Sequence, residues 1–120
     1  MPNSSALGFS IGAGTILQLA MVIAGHFLPV IAQGFAIGGT AISAIAGLVY
    51  ARRAAGTWSQ QVLGGAIAGG ACALIGIAVS CWLGDVAPLI LVIGTASSTV
   101  TGAIGGALGK IMAPRGRSLA

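Results

Sequence analysis

Charge is nearly absent from this chain. Only 5% of its residues are Asp, Glu, Lys or Arg, where a soluble domain carries about 25%, and so few charges cannot cover a water-soluble fold. Acid is scarcer still, since Asp85 is the one carboxylate side chain against five Lys and Arg. Histidine also occurs once, at His26. No nucleophile stands beside that His or that Asp, so a Ser-His-Asp arrangement has no basis. The two cysteines, Cys72 and Cys81, lie in one apolar run, about 13 Å apart along a helix axis and on opposite faces, so they cannot bridge. Neither has His or acid neighbours to complete a zinc site, and both read as small buried thiols. Aromatics are 5% of the chain and do not interleave with a basic patch, which argues against nucleic acid as a partner. The expectation is a protein that is not an enzyme, with no cofactor and no metal.

What the chain does have is apolar length. It is 57% hydrophobic with a mean hydropathy of +1.06, and a helix needs about 20 mostly apolar residues to cross a bilayer. The expected fold is all-α: one polytopic membrane domain over 1–120 with four transmembrane helices, at about 8–28, 31–51, 62–84 and 89–109. The start, MPNSSALGFSIGAG, lacks the basic segment of a signal peptide, so the first run is expected to be retained as a span. Pro29 should end it, because proline disfavours helical geometry just before itself. The stretch ARRAAGTWSQQ is the most hydrophilic, and 52–61 is therefore expected to be a loop outside the hydrocarbon. A β-barrel would need alternating polar and apolar positions, which the runs lack.

The basic residues suggest an orientation. Arg52, Arg53, Lys110, Arg115 and Arg117 are all five cations, and four spans place the loop and the basic tail, 110–120, on one side. That side should be cytoplasmic. The expected location is the inner (cytoplasmic) membrane, multi-pass, with both termini in the cytoplasm and the anionic lipid surface as partner. Tyr50 and Trp58 should sit at the inner interface, Phe27 and Trp82 near the outer one.

The two expected hairpin tips share a pattern, GHFLP at 25–29 and GDVAP at 84–88. The offset of 59 residues (84 − 25) also pairs Thr40 with Thr99, Ala44 with Ala103, Ile45 with Ile104 and Gly47 with Gly106. This reads as two tandem helical hairpins, a 2+2 arrangement whose parallel copies are related by an axis along the membrane normal. It makes Asp85 the equivalent of His26. Two solvated residues at turns are the expectation there, a packed pair being the alternative if the hairpins lie side by side.

Glycine dominates the interior of the runs, with 21 copies in the chain. Small residues recur at helical spacing as Gly39, Ser43 and Gly47; as Gly65, Gly69 and Gly76; and as Gly94, Ser98, Gly102, Gly105, Gly106 and Gly109. In lipid, such stripes let helix backbones approach closely, and glycines on more than one face point to a homo-oligomer or to partner membrane helices. GGAIAGG at 64–70 lacks the GK[ST] ending of a phosphate loop. Polar side chains within the spans include Gln18, Gln33, Thr95, Ser97 and Thr101. The hydroxyls either line a wet path or bond back to helix carbonyls. Gln18 should face a helix or a pore, because an amide against lipid is costly.

Two function classes follow. The first is a hole- or channel-forming oligomer, similar in size and organisation to holin-type lysis proteins. The second is a structural or assembly subunit of a larger membrane complex or virion membrane. A small solute transporter is a weaker third, since the spans hold no ionisable group away from their ends and such groups usually mark coupled pathways.

Overall fold

The computed structural model of the protein describes residues 4–32 and 34–112. The described chain is all-helical: α1 (Ser4–Phe27), a single turn α2 (Pro29–Ala32), α3 (Phe35–Arg53), α4 (Trp58–Trp82) and α5 (Pro88–Met112). Three of these helices, α1, α4 and α5, are long and apolar enough to cross a membrane. The bundle measures 46 × 21 × 20 Å, a length close to the roughly 40–45 Å of a bilayer with its headgroups.

The element ends differ from the expected ones for local reasons. Helix α1 starts at Ser4 and keeps His26 and Phe27 in its last turn, so His26 lies at a helix end and not in a turn. The first helix stops before Pro29, as expected. Pro29 is the first residue of α2, where a missing N–H costs nothing. The expected hydrophilic loop 52–61 shrinks to four residues, 54–57. Arg52 and Arg53 complete the last turn of α3, where cations suit the helix C-terminus. Residues 58–61 belong to α4, because Thr57 and Gln60 form a capping box. Thr57 Oγ1 accepts from the Gln60 N–H at 3.3 Å, and Gln60 Oε1 accepts from the Thr57 N–H at 3.0 Å, an arrangement that stabilises a helix start by about 0.5–2 kcal/mol.

At the other end of α4, Gly84 takes a φ of +82°, the left-handed conformation that glycine adopts without a Cβ penalty. Its N–H donates to Cys81 O and the Asp85 N–H to Ser80 O, each at 3.0 Å, which caps the helix and fixes Asp85 just beyond it. Pro88 then opens α5.

Packing follows the glycines. In the half of the bundle near the 54–57 link, α3, α4 and α5 meet backbone to backbone. A Cβ on Gly47 would fall on the Gly102 carbonyl, one on Gly65 on that same oxygen, and one on Gly106 on the Gln61 carbonyl. A Cβ on Gly69 would stand 2.7 Å from Gly102 Cα, and one on Gly109 would meet Ala51. Helices this close gain dispersion and weak Cα–H···O contacts that larger side chains would forbid. Tyr50 lies against Gly64 and is 1% exposed, so its ring packs within the bundle near the Arg52 and Arg53 end of α3. Trp58, Phe27 and Trp82 are exposed.

Helix α1 packs on α3 and α4. It runs parallel to α4, with Gly14 beside Cys72 and the Gln18 side chain beside Gly76, and antiparallel to α3, with Gln18 beside Gly39 and Met21 beside Gly38. Helix α3 likewise runs parallel to α5, through Gly47 on Gly102, Ala44 on Gly105 and Ala51 on Gly109.

Among the described cations, Arg52, Arg53 and Lys110 gather at the end that holds the 54–57 link. The Arg53 guanidinium stands 3.8 Å over the Phe9 ring. Lys110 Nζ donates to Gly56 O at 2.7 Å and lies 5.6 Å from the Trp58 ring centroid. Arg115, Arg117 and Gln33 fall outside the described residues.

Candidate functional site

The half of the bundle away from the cations is less tightly filled. There α1, α3, α4 and α5 enclose a cavity of about 330 Å³ whose wall includes Gln18, Thr40, Ser80, Ser97 and Ser98 among apolar side chains such as Met21, Ile77 and Ile90. Among the described residues no charged one lines it. The register of the bundle produces this space: large side chains are replaced by Gly39, Gly76 and Gly94 on three of its walls, while the glycines nearer the basic end are closed by backbone contact.

Gln18 sits at the floor and is 2% exposed. Its Nε2 donates to Gly39 O at 3.1 Å and to Ser43 Oγ at 3.4 Å, with Cys72 Sγ at 4.0 Å. One amide thus ties α1 to α3 and meets α4. Gln18 faces α3 and α4 with its amide nitrogen and also lines the cavity. Its Oε1 points towards Gly76, where a Cβ would be 3.4 Å away.

The other polar candidates divide. Ser97 and Ser98 reach the cavity wall. Thr101 Oγ1 donates to Ser98 O at 3.1 Å, Thr99 Oγ1 to Thr95 O at 2.8 Å, and Ser43 Oγ to Gly39 O at 2.9 Å, all bonds back to their own helix that absorb a hydroxyl locally. Thr95 lies elsewhere, beside Gly70 and Thr99 in a shallow groove between α4 and α5.

The two residues expected to be solvated singly are in fact a pair. His26 Nδ1 stands 2.9 Å from Asp85 Oδ2 and 3.2 Å from Oδ1, joining the C-terminal ends of α1 and α4 at the tip end of the bundle, beside the cavity-lining Val86. The His26 ring also meets Phe27 edge-on at 5.2 Å. With the imidazole protonated the contact is an ion pair, and with it neutral a hydrogen bond. Partly exposed pairs couple by about 0.2–1 kcal/mol. A cycle of His26→Ala, Asp85→Ala and the double variant, followed by thermal unfolding in detergent, should give a coupling of that size; strictly additive effects would show that the contact contributes nothing to stability.

Sequence reasoning missed Gln61 altogether. It is 2% exposed, and its Nε2 donates to Ala51 O at 3.2 Å and to Ala54 O, capping the C-terminal end of α3 from the neighbouring helix. Both cysteines are free thiols, with Cys72 buried and Cys81 donating to Ala87 O at 3.7 Å. Among the described residues no group of three His, Cys, Asp or Glu could hold a metal. Comparison with protein-family models, curated proteins and solved structures gives no match.

Proposed function

We propose that this chain is a four-span bundle, built as two parallel helical hairpins, that admits small uncharged solutes into the membrane through the cavity between its helices. The cavity at Gln18 carries this reading. Pockets that bind small molecules are mostly apolar with a few placed polar groups, and a charge-free wall disfavours ions. In this scheme α3 is the fourth span, and the glycine contacts of α3, α4 and α5 form a gate at the basic end that parts for a solute to cross. The parallel pairing of α1 with α4 and of α3 with α5, with His26 meeting its counterpart Asp85 across 59 residues, supports the duplicated-hairpin arrangement. Placing both termini and the basic end in the cytoplasm, at the inner membrane, follows from the cation asymmetry. Impermeant maleimide applied to intact cells should label a cysteine put at Trp82 and not one put at Trp58; the reverse pattern would invert the topology.

Permeation is tested in liposomes holding the purified protein. Stopped-flow light scattering should show glycerol entering at least several-fold faster than into protein-free liposomes, with trapped carboxyfluorescein retained and Gln18→Leu reducing the rate. Equal rates with and without protein would end the proposal.

A holin-like lesion or a docked structural subunit is the second reading, and one observation favours it. Gly8 and Gly12 on α1 are four residues apart, and a Cβ at either would meet nothing within 4 Å, so this small-residue face is open to a second copy or a partner helix. Release of carboxyfluorescein in the same experiment would favour the lesion.

A further inference from the structure

Within the cavity wall one polar group stands apart from the rest. Ser80 is 2% exposed, and its Oγ is fully buried without a hydrogen-bond partner. Other buried hydroxyls of the bundle, such as Ser10 and Ser43, bond to carbonyls of their own helix. A buried hydroxyl left unpaired loses its hydration with nothing in return. Three other buried polar atoms, Thr15 Oγ1, Gln61 Oε1 and Thr95 Oγ1, are also unpaired, but their residues lie off the cavity wall; Ser80 is the one of the four placed where a molecule in the cavity can complete the pairing.

The surroundings of Ser80 define what that molecule is. Gly76 precedes it by one helical turn, so the two lie on one face of α4 about 6 Å apart, and the Gln18 amide stands against Gly76. Ser80 Oγ and Gln18 Oε1 therefore offer a donor and an acceptor in a mostly apolar wall that also includes Met21, Ile77 and Ile90. Gln18 Nε2 is already committed to Gly39 O and Ser43 Oγ. A hydroxyl satisfies both free groups at once, donating to the amide oxygen and accepting from the serine. A carboxylate or an ammonium would enter with no counter-charge and at a cost of several kcal/mol. The volume of about 330 Å³ is roughly twice that of an engineered apolar cavity that holds benzene.

We infer that the cavity between α1, α3, α4 and α5 is a binding site for a small, neutral, mainly apolar alcohol or phenol drawn from the membrane, its hydroxyl held between Ser80 and Gln18. This goes beyond permeation, because binding needs no pathway through the basic end of the bundle.

The probe is para-fluorobenzyl alcohol, with para-fluorotoluene as the isostere that lacks the hydroxyl, each titrated by fluorine NMR into nanodiscs with and without the full-length protein. The protein should bind the alcohol saturably and about tenfold more tightly than the toluene, the ratio expected for one buried hydrogen bond. Ser80→Ala should reduce that preference several-fold, the bond to Gln18 Oε1 remaining, without lowering thermal stability, since it removes an unpaired hydroxyl. Gly39→Leu should abolish binding of both probes. A Cβ there stands in ordinary contact with Met21 and Gln18, at 3.8 and 3.7 Å, so the added side chain grows into the cavity while the helices keep their places. Signals equal to those of protein-free nanodiscs, as water alone in the cavity would give, overturn the inference. So does an alcohol preference undiminished by Ser80→Ala. Glycerol flux is read separately in liposomes, so either result can fail while the other stands.

Discussion

Gly102→Leu is expected to prevent the bundle from assembling. Gly102 is the point where three helices meet without side chains: a Cβ there would collide with the Gly65 carbonyl and stand 2.9 Å from Gly69 Cα. On the far side, the Gly102 carbonyl already occupies the place a Cβ on Gly47 would take. None of these obstacles is a flexible side chain that could swing away. Overpacking a core costs about 1–3 kcal/mol when neighbours can adjust, and with only backbone to displace the loss should exceed about 3 kcal/mol. The variant should fall out of the monodisperse peak on detergent size-exclusion chromatography and lose its cooperative thermal transition. Gly12→Leu is the matched control, because nothing lies within 4 Å of its added atom. A Gly102→Leu protein that unfolds at the wild-type temperature would show that α3, α4 and α5 do not touch as described.

Gln61→Met should be the next most damaging change. The amide reaches two carbonyls at the end of α3, Ala51 O and Ala54 O, and both alanines are buried, at 0% and 2% exposed. The last carbonyls of a helix have no partner within it. Methionine fills the same volume and donates to neither, so the expected loss is about 2 kcal/mol. Gln60→Met, one residue earlier, removes only half of an exposed capping box and should cost about 0.5–1 kcal/mol. Thermal unfolding of the two variants side by side checks the ranking, and a Gln60 effect larger than that of Gln61 would contradict the burial of the second amide.

The long apolar helices were plain in the sequence because hydropathy alone announces them, and proline and glycine punctuate the tips. Their ends were less plain. ARRAAGTWSQQ looks like loop by polarity, yet most of it is helix: its arginines lie where a helix C-terminus favours cations, and Thr57 with Gln60 forms a T-x-x-Q start signal that composition concealed. The stripes through Gly65, Gly69, Gly102 and Gly106 were legible as contact faces. What no stripe states is which chain supplies the opposing face, and here α3, α4 and α5 close on one another, removing the argument that these glycines require a second copy. The 59-residue offset linked His26 to Asp85, but the general habit of polar residues at turns argued for solvation. Their meeting depends on α1 and α4 running side by side in register, which only the packed bundle reveals. Ser80 was beyond reach for a similar reason, since a missing partner is a property of a surrounding and not of a residue.

The uneven packing bears on how the protein is made. Its most intimately joined helices, α3, α4 and α5, leave the ribosome after α1, and the glycine node is complete only once α5 has joined the others. Until then α1 has just the faces of α3 and α4 to settle against, held by one amide and, at the tips, by a histidine and an aspartate. Helix α1 is therefore a latecomer to a scaffold synthesised after it, and a nascent chain halted before Gly94 would present its unfilled glycine grooves to the insertion machinery.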